Sequence, residues 1–419
     1  MAGSNKMSPP SYWLITLVAA AVLMVTMGAR QSMGLFVSPL NSTTGLGIAA
    51  ISFSLAVGQL MWGVAQPIAG AIADRYGPGR VIACGGIILS LGFAITPLMT
   101  SNLGLTFAIG FLMAAGAGAG SFSVLIGAAA QRLPPEKRGM ASGIINAGGS
   151  FGQFLFAPLI QKLIAMTGWM GAMWAMAIIA LATLPLARAL RGQPVIVSKK
   201  ILSEQTGRAE KPAAEKGLRQ SVGEALKDPS YLLLHAGFFT CGFHIAFLVT
   251  HLPGEIALCG LSANVAGWSL AIIGLANVIG SLAAGWGVGR YRSKYILFWM
   301  YASRALLIGI YLLAPKTEMT FYLFAAGLGL TWLATVPPTA GVVSKLFGTR
   351  YLSTLFGLTL LSHQIGGFFG AWLGGLAITE LGNYNVMWVA DIGLALMAAV
   401  TNLPIREPVL EPAPKPVRA

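Results

Sequence analysis

Stretches of roughly 20 mostly apolar residues recur along almost the whole chain, and that recurrence limits what it can fold into more than any other feature. About 20 such residues in a helix cross the roughly 30 Å hydrocarbon core of a bilayer, where every backbone polar group must be paired within its own element. The runs fall at 12–37, 48–73, 80–99, 104–129, 139–163, 169–190, 230–254, 264–288, 294–314, 319–344, 351–378 and 384–404. The expected fold is therefore an all-α membrane protein of twelve transmembrane helices, with no room for a soluble catalytic domain, and an enzyme is not expected. Composition agrees: 56% of residues are hydrophobic and 10% charged, where a soluble protein carries roughly a quarter charged residues. The 53 glycines suit helices that approach closely through small residues, most densely over Ala114-Ala115-Gly116-Ala117-Gly118-Ala119-Gly120.

The first run follows Lys6, but it is too long for a signal peptide, lacks a small-residue cleavage site and is followed at once by further spans, so it reads as the first helix. Cys84, Cys241 and Cys259 show no metal or redox spacing and read as small buried residues. No metal and no cofactor is expected, and the absence of a phosphate-cradling glycine loop argues against ATP-driven work by this chain.

Lys and Arg concentrate in cytoplasmic segments. With both termini in the cytoplasm, all 27 Lys and Arg residues fall in cytoplasmic segments except Lys162 and Lys316, placed outside, and Arg30 and Arg304, placed within spans. This spread over short loops facing anionic lipid accounts for the net charge of +14 without a nucleic-acid partner. The short loops look bacterial, which points to the cytoplasmic (inner) membrane. Asn41-Ser42-Thr43 matches a glycosylation acceptor, but it sits too close to the bilayer to be counted as one.

Residues 191–229 carry Lys199, Lys200, Arg208, Lys211, Lys216 and Arg219 among Glu204, Glu210 and Glu215, the composition of a solvated linker. This linker separates an N-terminal six-helix bundle, 1–190, from a C-terminal one, 230–405, and a cytoplasmic tail follows at 406–419. The division at mid-chain suggests duplication. A shift of about 215 residues lays Gly285-x-x-x-Gly289-Arg290 on Gly70-x-x-x-Asp74-Arg75, and the basic loop ending in Arg350, with Gly357 beyond, near Arg138 and Gly143. Parallel repeats of this kind place a substrate site near the midplane, where the halves meet.

Gly70-Ala71-Ile72-Ala73-Asp74-Arg75-Tyr76-Gly77-Pro78-Gly79-Arg80 resembles the signature loop of the major facilitator superfamily between its second and third helices. Hydropathy, linker and repeat extend the resemblance over nearly the whole chain. It implies a secondary transporter working by alternating access, with Asp74, Arg75, Arg80 and Arg138 as gating residues. The chemistry agrees, because an acid and cations at adjacent helix ends can form a network that breaks when the halves rock apart. The alternative is plain positive-inside topology with a solvated Asp. The second copy has Gly289 at the position of the Asp, which implies a weaker gate there.

Ionisable groups inside spans are costly and are functional candidates by default. Arg30 leads them, in Thr26-Met27-Gly28-Ala29-Arg30-Gln31-Ser32-Met33-Gly34-Leu35-Phe36, because its planar fork suits a carboxylate; the competing role is a packing Arg tied to backbone carbonyls. The same shift sets Arg30 beside His244, so both are expected to face the cavity. This segment is similar to the first helix of the monocarboxylate porter family, which implies a cation that helps to bind the anion. Asn277-Val278-Ile279-Gly280-Ser281-Leu282-Ala283-Ala284-Gly285 resembles that family's eighth-helix pattern, with Asn277 where the acid stands and Ser281 where the Arg stands, so the usual carboxylate clamp and its proton partner are missing.

His235, His244 and His251 share one span, and at about 100° per residue His244 and His251 occupy one face. His244 is a candidate proton carrier because imidazole titrates in the useful range, or else a packing histidine. His251 and Glu255 read as outer-gate or interfacial groups. His363 and Gln364 are candidates to hydrogen-bond substrate, with Asn146, Gln153 and Gln59 as further polar lining and Trp332, near the Pro337-Pro338 break, as an aromatic wall. Arg304 and Asp391 read as structural, Asp391 standing also as a second proton-coupling candidate. The leading expectation is a monomeric, proton-coupled carrier of a small organic anion, a monocarboxylate, embedded in membrane lipid. The alternatives are efflux of an amphipathic or cationic compound, which needs a carboxylate in the cavity, and a sensor that binds without flux.

Overall fold

The computed structural model describes residues 9–191 and 217–408. They are almost entirely helical. Label the long helices α1 (Pro9–Gln31), α2 (Ile48–Tyr76), α3 (Pro78–Ile95), α4 (Asn102–Ala130), α5 (135–167) and α6 (169–189). The second six are α7 (Pro229–Leu258), α8 (Ala263–Val288), α9 (Ser293–Leu313), α10 (Glu318–Phe347), α11 (Leu352–Leu381) and α12 (Asn385–Asn402). Among the described residues, 11 helices are long and apolar enough to cross a membrane. The twelfth, α11, has 30 residues but is diluted in mid-length by Ser362, His363 and Gln364. Large side chains such as Leu313, 91% exposed, and Leu103, 84% exposed, point off the bundle, as lipid-facing residues must.

Local chemistry explains where the helices turn. Gly77 lies at φ 91, a conformation that favours glycine, and lets α2 reverse into α3 through Pro78. Gly168, at φ 71, separates α5 from α6 within one otherwise continuous helical run. Asp228 starts α7 by accepting from the Ser230 and Tyr231 amides at 2.7 and 3.2 Å, with Pro229 at the first position where no donor is needed. Two spans are interrupted: α4 at Gly120-Ser121, and α10 between Thr331 and Val336.

The linker and tail differ from expectation where they are described. Most of 191–229 lies outside the described residues, but Leu218–Ala225 forms a short helix with Ala225 buried and Arg219, Gln220, Gly223 and Glu224 exposed, so that part is ordered and largely solvated. Glu407, in the expected tail, is 5% exposed. It accepts from the Ser293 and Lys294 amides, each at 2.9 Å, and from Lys345 Nζ at 2.6 Å, capping α9. Of the cysteines, Cys241 is buried, but Cys84 is exposed on the outer face of α3.

Within each half, two helices meet backbone to backbone. On the α1/α5 seam, a Cβ at Gly148 would stand 2.6 Å from the Ala20 carbonyl oxygen, and one at Gly152 would overlap that of Met24. On α7/α11, Cβ atoms at Gly366 and Gly370 would overlap the carbonyl oxygens of Phe239 and Phe243. The sequence repeats with the contacts: Gly148-Gly149-Ser150-Phe151-Gly152 recurs as Gly366-Gly367-Phe368-Phe369-Gly370. In this register Ala20 corresponds to Phe239 and Met24 to Phe243, so Arg30 corresponds to Val249, and His244 to Val25. The expected alignment of Arg30 with His244 is therefore out by about one helical turn, because it was anchored at helix ends and the loops beside them, where length is free to change.

The two halves meet along α2/α11 and α5/α8. There a Cβ at Gly70 would stand 2.5 Å from the Ser353 carbonyl oxygen, one at Gly357 2.8 Å from Pro67 Cα, and one at Gly285 2.7 Å from the Gly139 carbonyl oxygen. These close approaches lie toward the end of the molecule that carries Asp74.

Candidate functional site

Between the halves, α1, α2 and α4 on one side and α7, α10 and α11 on the other line a small, partly open cavity of ≈ 20 Å³, room for about one water molecule in this conformation. Its lining is largely apolar, with Met27, Phe122, Ile245, Val249, Val336 and Leu360 among its walls, and its polar groups are Arg30, Gln31, Gln59, Trp62, His363 and Gln364. Arg30 is the one charged residue in it. The guanidinium carbon lies 4.1 Å from the centre of the Trp62 ring, a cation–π contact that leaves the edge of the fork open, and no carboxylate of the described residues pairs with it. The competing role, a packing Arg tied to carbonyls, is not what the geometry shows.

Two of the groups that line the cavity with Arg30 carry unpartnered nitrogens. Trp62 is 2% exposed and its Nε1–H has no hydrogen-bond partner. Gln364 Nε2 donates to His363 Nδ1 at 2.7 Å, which puts the ring proton of a neutral His363 on Nε2, an atom that is also without a partner. A permanent cation, an indole N–H and an imidazole N–H on one small cavity can together receive an anion. Trp62 was not among the sequence candidates. Nothing in the sequence separates it from the other tryptophans, apart from the need of an intramembrane Arg for a neighbour that can stabilise it.

Several expected lining residues lie elsewhere. His244 is fully buried but does not line the cavity: its Nδ1 meets Asp391 Oδ2 on α12, and its ring lies edge-on to Trp332 at 5.8 Å. In its place Gly242, Ile245, Ala246 and Val249 form the α7 wall. Trp332 is likewise buried behind the wall. Asn146, Asn277 and Ser281 form a network between the halves: Asn146 Nδ2 donates to Ser281 Oγ and to the Leu333 carbonyl, each at 2.7 Å. Asn277 Nδ2 donates to Ser150 Oγ at 2.5 Å, and its Oδ1 accepts from the Leu333 amide at 3.0 Å. The amide at the position of the acid thus holds the break in α10, which only Leu333 and Val336 carry to the cavity surface. Gln153 is buried away from the cavity lining.

The expected charge network around Asp74 also differs. Asp74 is 4% exposed and its partners are neutral. Oδ1 accepts from Gln131 Nε2 at 3.0 Å, and Oδ2 accepts from the Thr354 amide and hydroxyl at 3.0 and 2.8 Å. Thr354 stands in the first turn of α11, so Asp74 of one half caps a helix of the other, where a carboxylate is favoured. Arg75 and Arg80 are exposed, and neither bonds to Asp74. Arg138 donates from Nε to the Leu133 carbonyl at 3.0 Å within its own half. His235 contacts Ser362 Oγ at 2.6 Å, and His251 donates from Nε2 to the Ala371 carbonyl at 2.8 Å, both joining α7 to α11. Glu255 accepts from the Tyr311 hydroxyl at 2.7 Å rather than meeting His251.

A sequence profile described as Major Facilitator Superfamily matches residues 18–371. The chain is 25% identical over 377 residues to the oxalate:formate antiporter of Oxalobacter formigenes, covering 88% of this chain and 86% of that one. It is 26% identical over 392 residues to monocarboxylate transporter 13 of Rattus norvegicus, covering 90% and 85%. Its fold matches that of the proton:xylose symporter XylE, solved with 6-bromo-6-deoxy-D-glucose, at a TM-score of 0.69 and 16% identity over 94% of each chain.

Proposed function

Because the chain belongs to the major facilitator superfamily, and so is a multi-pass membrane transporter, we propose that it carries a monocarboxylate with an apolar body by alternating access, together with a proton. The observation that carries the reading is the guanidinium of Arg30, the one charge on a cavity whose other polar groups, Gln31, Gln59, Trp62, His363 and Gln364, are neutral side chains or an uncharged imidazole. An isolated cation at this depth is expensive, and a carboxylate bound bidentately offsets both its charge and its unmet donors. One cation suits one carboxylate. A second carboxylate would find no second cation on this lining, whereas an alkyl or aryl body would bury apolar surface against Val249, Val336 and Leu360. Trp62 Nε1 and His363 Nε2 supply further donors to the same oxygens.

The two named relatives, an oxalate:formate antiporter and a monocarboxylate transporter, support an organic anion as the cargo. Efflux of a cation is disfavoured, because none of the residues lining the cavity is acidic and the candidate Asp391 is engaged by His244 behind it. In this reading the bundles 1–190 and 230–405 rock about the cavity in the cytoplasmic membrane, with both termini and the linker inside. Asp74 with Thr354, and the Asn146–Ser281–Leu333 contacts, hold the cytoplasmic end shut, and Arg75, Arg80 and Arg138 anchor that end against anionic lipid.

The test is uptake of radiolabelled pyruvate, lactate, 2-oxoisocaproate, oxalate and succinate into proteoliposomes under an imposed proton gradient. Saturable uptake of the monocarboxylates, strongest for the branched one and abolished by Arg30→Ala, is the expected result. Preference for the dicarboxylates, or uptake that survives Arg30→Ala, would overturn the assignment.

A further inference from the structure

We propose that His244 and Asp391 form the site at which the co-transported proton rides, set behind the substrate cavity and tied to it through the break in α10. This rests on the reading of the chain as a proton-coupled anion carrier.

The two residues are fully buried and on different helices, α7 and α12, and they are joined through His244 Nδ1 and Asp391 Oδ2. Their remaining polar atoms, His244 Nε2 and Asp391 Oδ1, have no partner. Arg304 of α9, also fully buried, donates from Nη2 to the carbonyls of Thr331 and Trp332 at 2.7 and 3.1 Å, while its Nε and Nη1 are unpartnered. Orphaned polar atoms buried in protein are costly, and here three charged or chargeable side chains keep them together. A purely structural pair would be expected to close on itself.

The surroundings settle which charge states are tolerable. Arg304 rests against the carbonyl end of the first part of α10, where the helix dipole offsets its charge. Besides Asp391 and Arg304, Trp332 of α10 faces His244; Cys241, one turn away on α7, meets the Thr335 hydroxyl of α10, and the ring of Tyr301 of α9 lies 5.5 Å from the Arg304 guanidinium carbon. His363 of α11 faces the cavity instead. With His244 neutral, Arg304 and the Asp391 carboxylate cancel. A proton arriving from water forms an N–H bond at Nε2, the imidazolium is held through Nδ1–H by the carboxylate, and the cluster gains one positive charge. Loading an anion on Arg30 offsets one positive charge within the spans, so anion and proton together leave the charge of the protein interior unchanged.

The link to the cavity is a single peptide step. Trp332 gives its carbonyl to Arg304, and its ring makes a T-shaped contact with that of His244. The next residue, Leu333, lines the cavity, takes Asn277 on its amide and holds Asn146 of the other half on its carbonyl. Charging His244 therefore pulls on the segment that clasps the two halves.

The experiment uses the full chain in proteoliposomes containing a pH-sensitive dye, with pyruvate as probe. Wild type is expected to move protons with pyruvate. His244→Gln and Asp391→Asn are expected to keep pyruvate–pyruvate counterflow while losing proton movement and gradient-driven accumulation, with Asp391→Glu restoring part of both. Proton movement that persists in the two isosteric variants, or counterflow lost with it in both, overturns the proposal. If wild type carries neither pyruvate nor 2-oxoisocaproate, the monocarboxylate reading fails instead, and the site is judged alone by infrared difference spectra of the lipid-embedded chain between acid and alkaline pH. A protonation signal absent from His244→Gln would support the site, and its presence unchanged in that variant would overturn it.

Discussion

Replacing Gly143 by alanine should push the molecule away from the conformation described here, and the size of the push follows from the α5/α8 crossing. The new Cβ would stand 2.6 Å from the Ser281 carbonyl oxygen and 2.9 Å from Gly285 Cα. A carbon–oxygen contact relaxes near roughly 3.3 Å, so the helices must part by roughly 0.7 Å. Both neighbours are backbone atoms and cannot rotate away. Forcing one extra carbon into a packed contact costs about 1–3 kcal/mol. Because the contact joins the two halves, the cost falls only on the state in which they meet at the Asp74 end. That corresponds to a shift in the two-state equilibrium of about 5–150-fold. Spin labels at Glu136→Cys and Arg292→Cys, with Cys84, Cys241 and Cys259 replaced, report this end by double electron–electron resonance, since the Glu136 carbonyl oxygen lies 3.8 Å from where a Cβ of Gly289 would stand. The long-distance population should grow in Gly143→Ala and stay at the wild-type level in Gly309→Ala, where nothing lies within 4 Å of the added carbon. Equal distance distributions in the two variants would refute the reasoning.

Arg30→Gln should weaken binding of the carried monocarboxylate by about 2–5 kcal/mol, and Arg30→Lys, which keeps the charge but loses the fork, by less; isothermal titration that finds Lys equal to wild type would deny the bidentate contact. Trp62→Phe keeps the ring beneath Arg30 and removes only the orphaned N–H. It should cost about 1 kcal/mol, a roughly five-fold loss of affinity, and an unchanged dissociation constant would show that the indole does not reach the anion. Asp74→Asn replaces an acceptor of three hydrogen bonds by an amide, and the same spin-label pair should then report more separation at that end. An unchanged distribution would mean that the α11 cap does not hold the halves together.

The spans were legible because each must supply about 20 apolar residues whatever the rest of the fold does, and Arg30 was legible because a cation in such a run stands alone. Facing was not legible. In a helix that is apolar all round no stripe distinguishes lipid from cavity, so His244 looked as suited to the cavity as Arg30, although it turns to α12. The register of the repeat was misjudged because its anchors sit at helix ends, Asp74 in the last turn of α2 and Arg290 just past α8, whereas the pattern shared by Gly148–Gly152 and Gly366–Gly370 sits where backbones touch. Asp74 was found from the sequence but its partners were not, since Arg75 and Arg80 can reach water and have no need of its carboxylate, while the Thr354 amide at the start of α11 has no partner within its own helix.

The glycine seams also bear on how a cargo arrives. Where a carbonyl oxygen of one helix fills the space that a side chain of the next would occupy, no acyl chain or dissolved hydrophobic molecule can slip between them. The α1/α5 and α7/α11 seams are thus closed to traffic from the bilayer along the stretch that flanks the cavity. A molecule partitioned into lipid has no side door there. Passage along these two seams is therefore shut however strongly a compound partitions into the membrane.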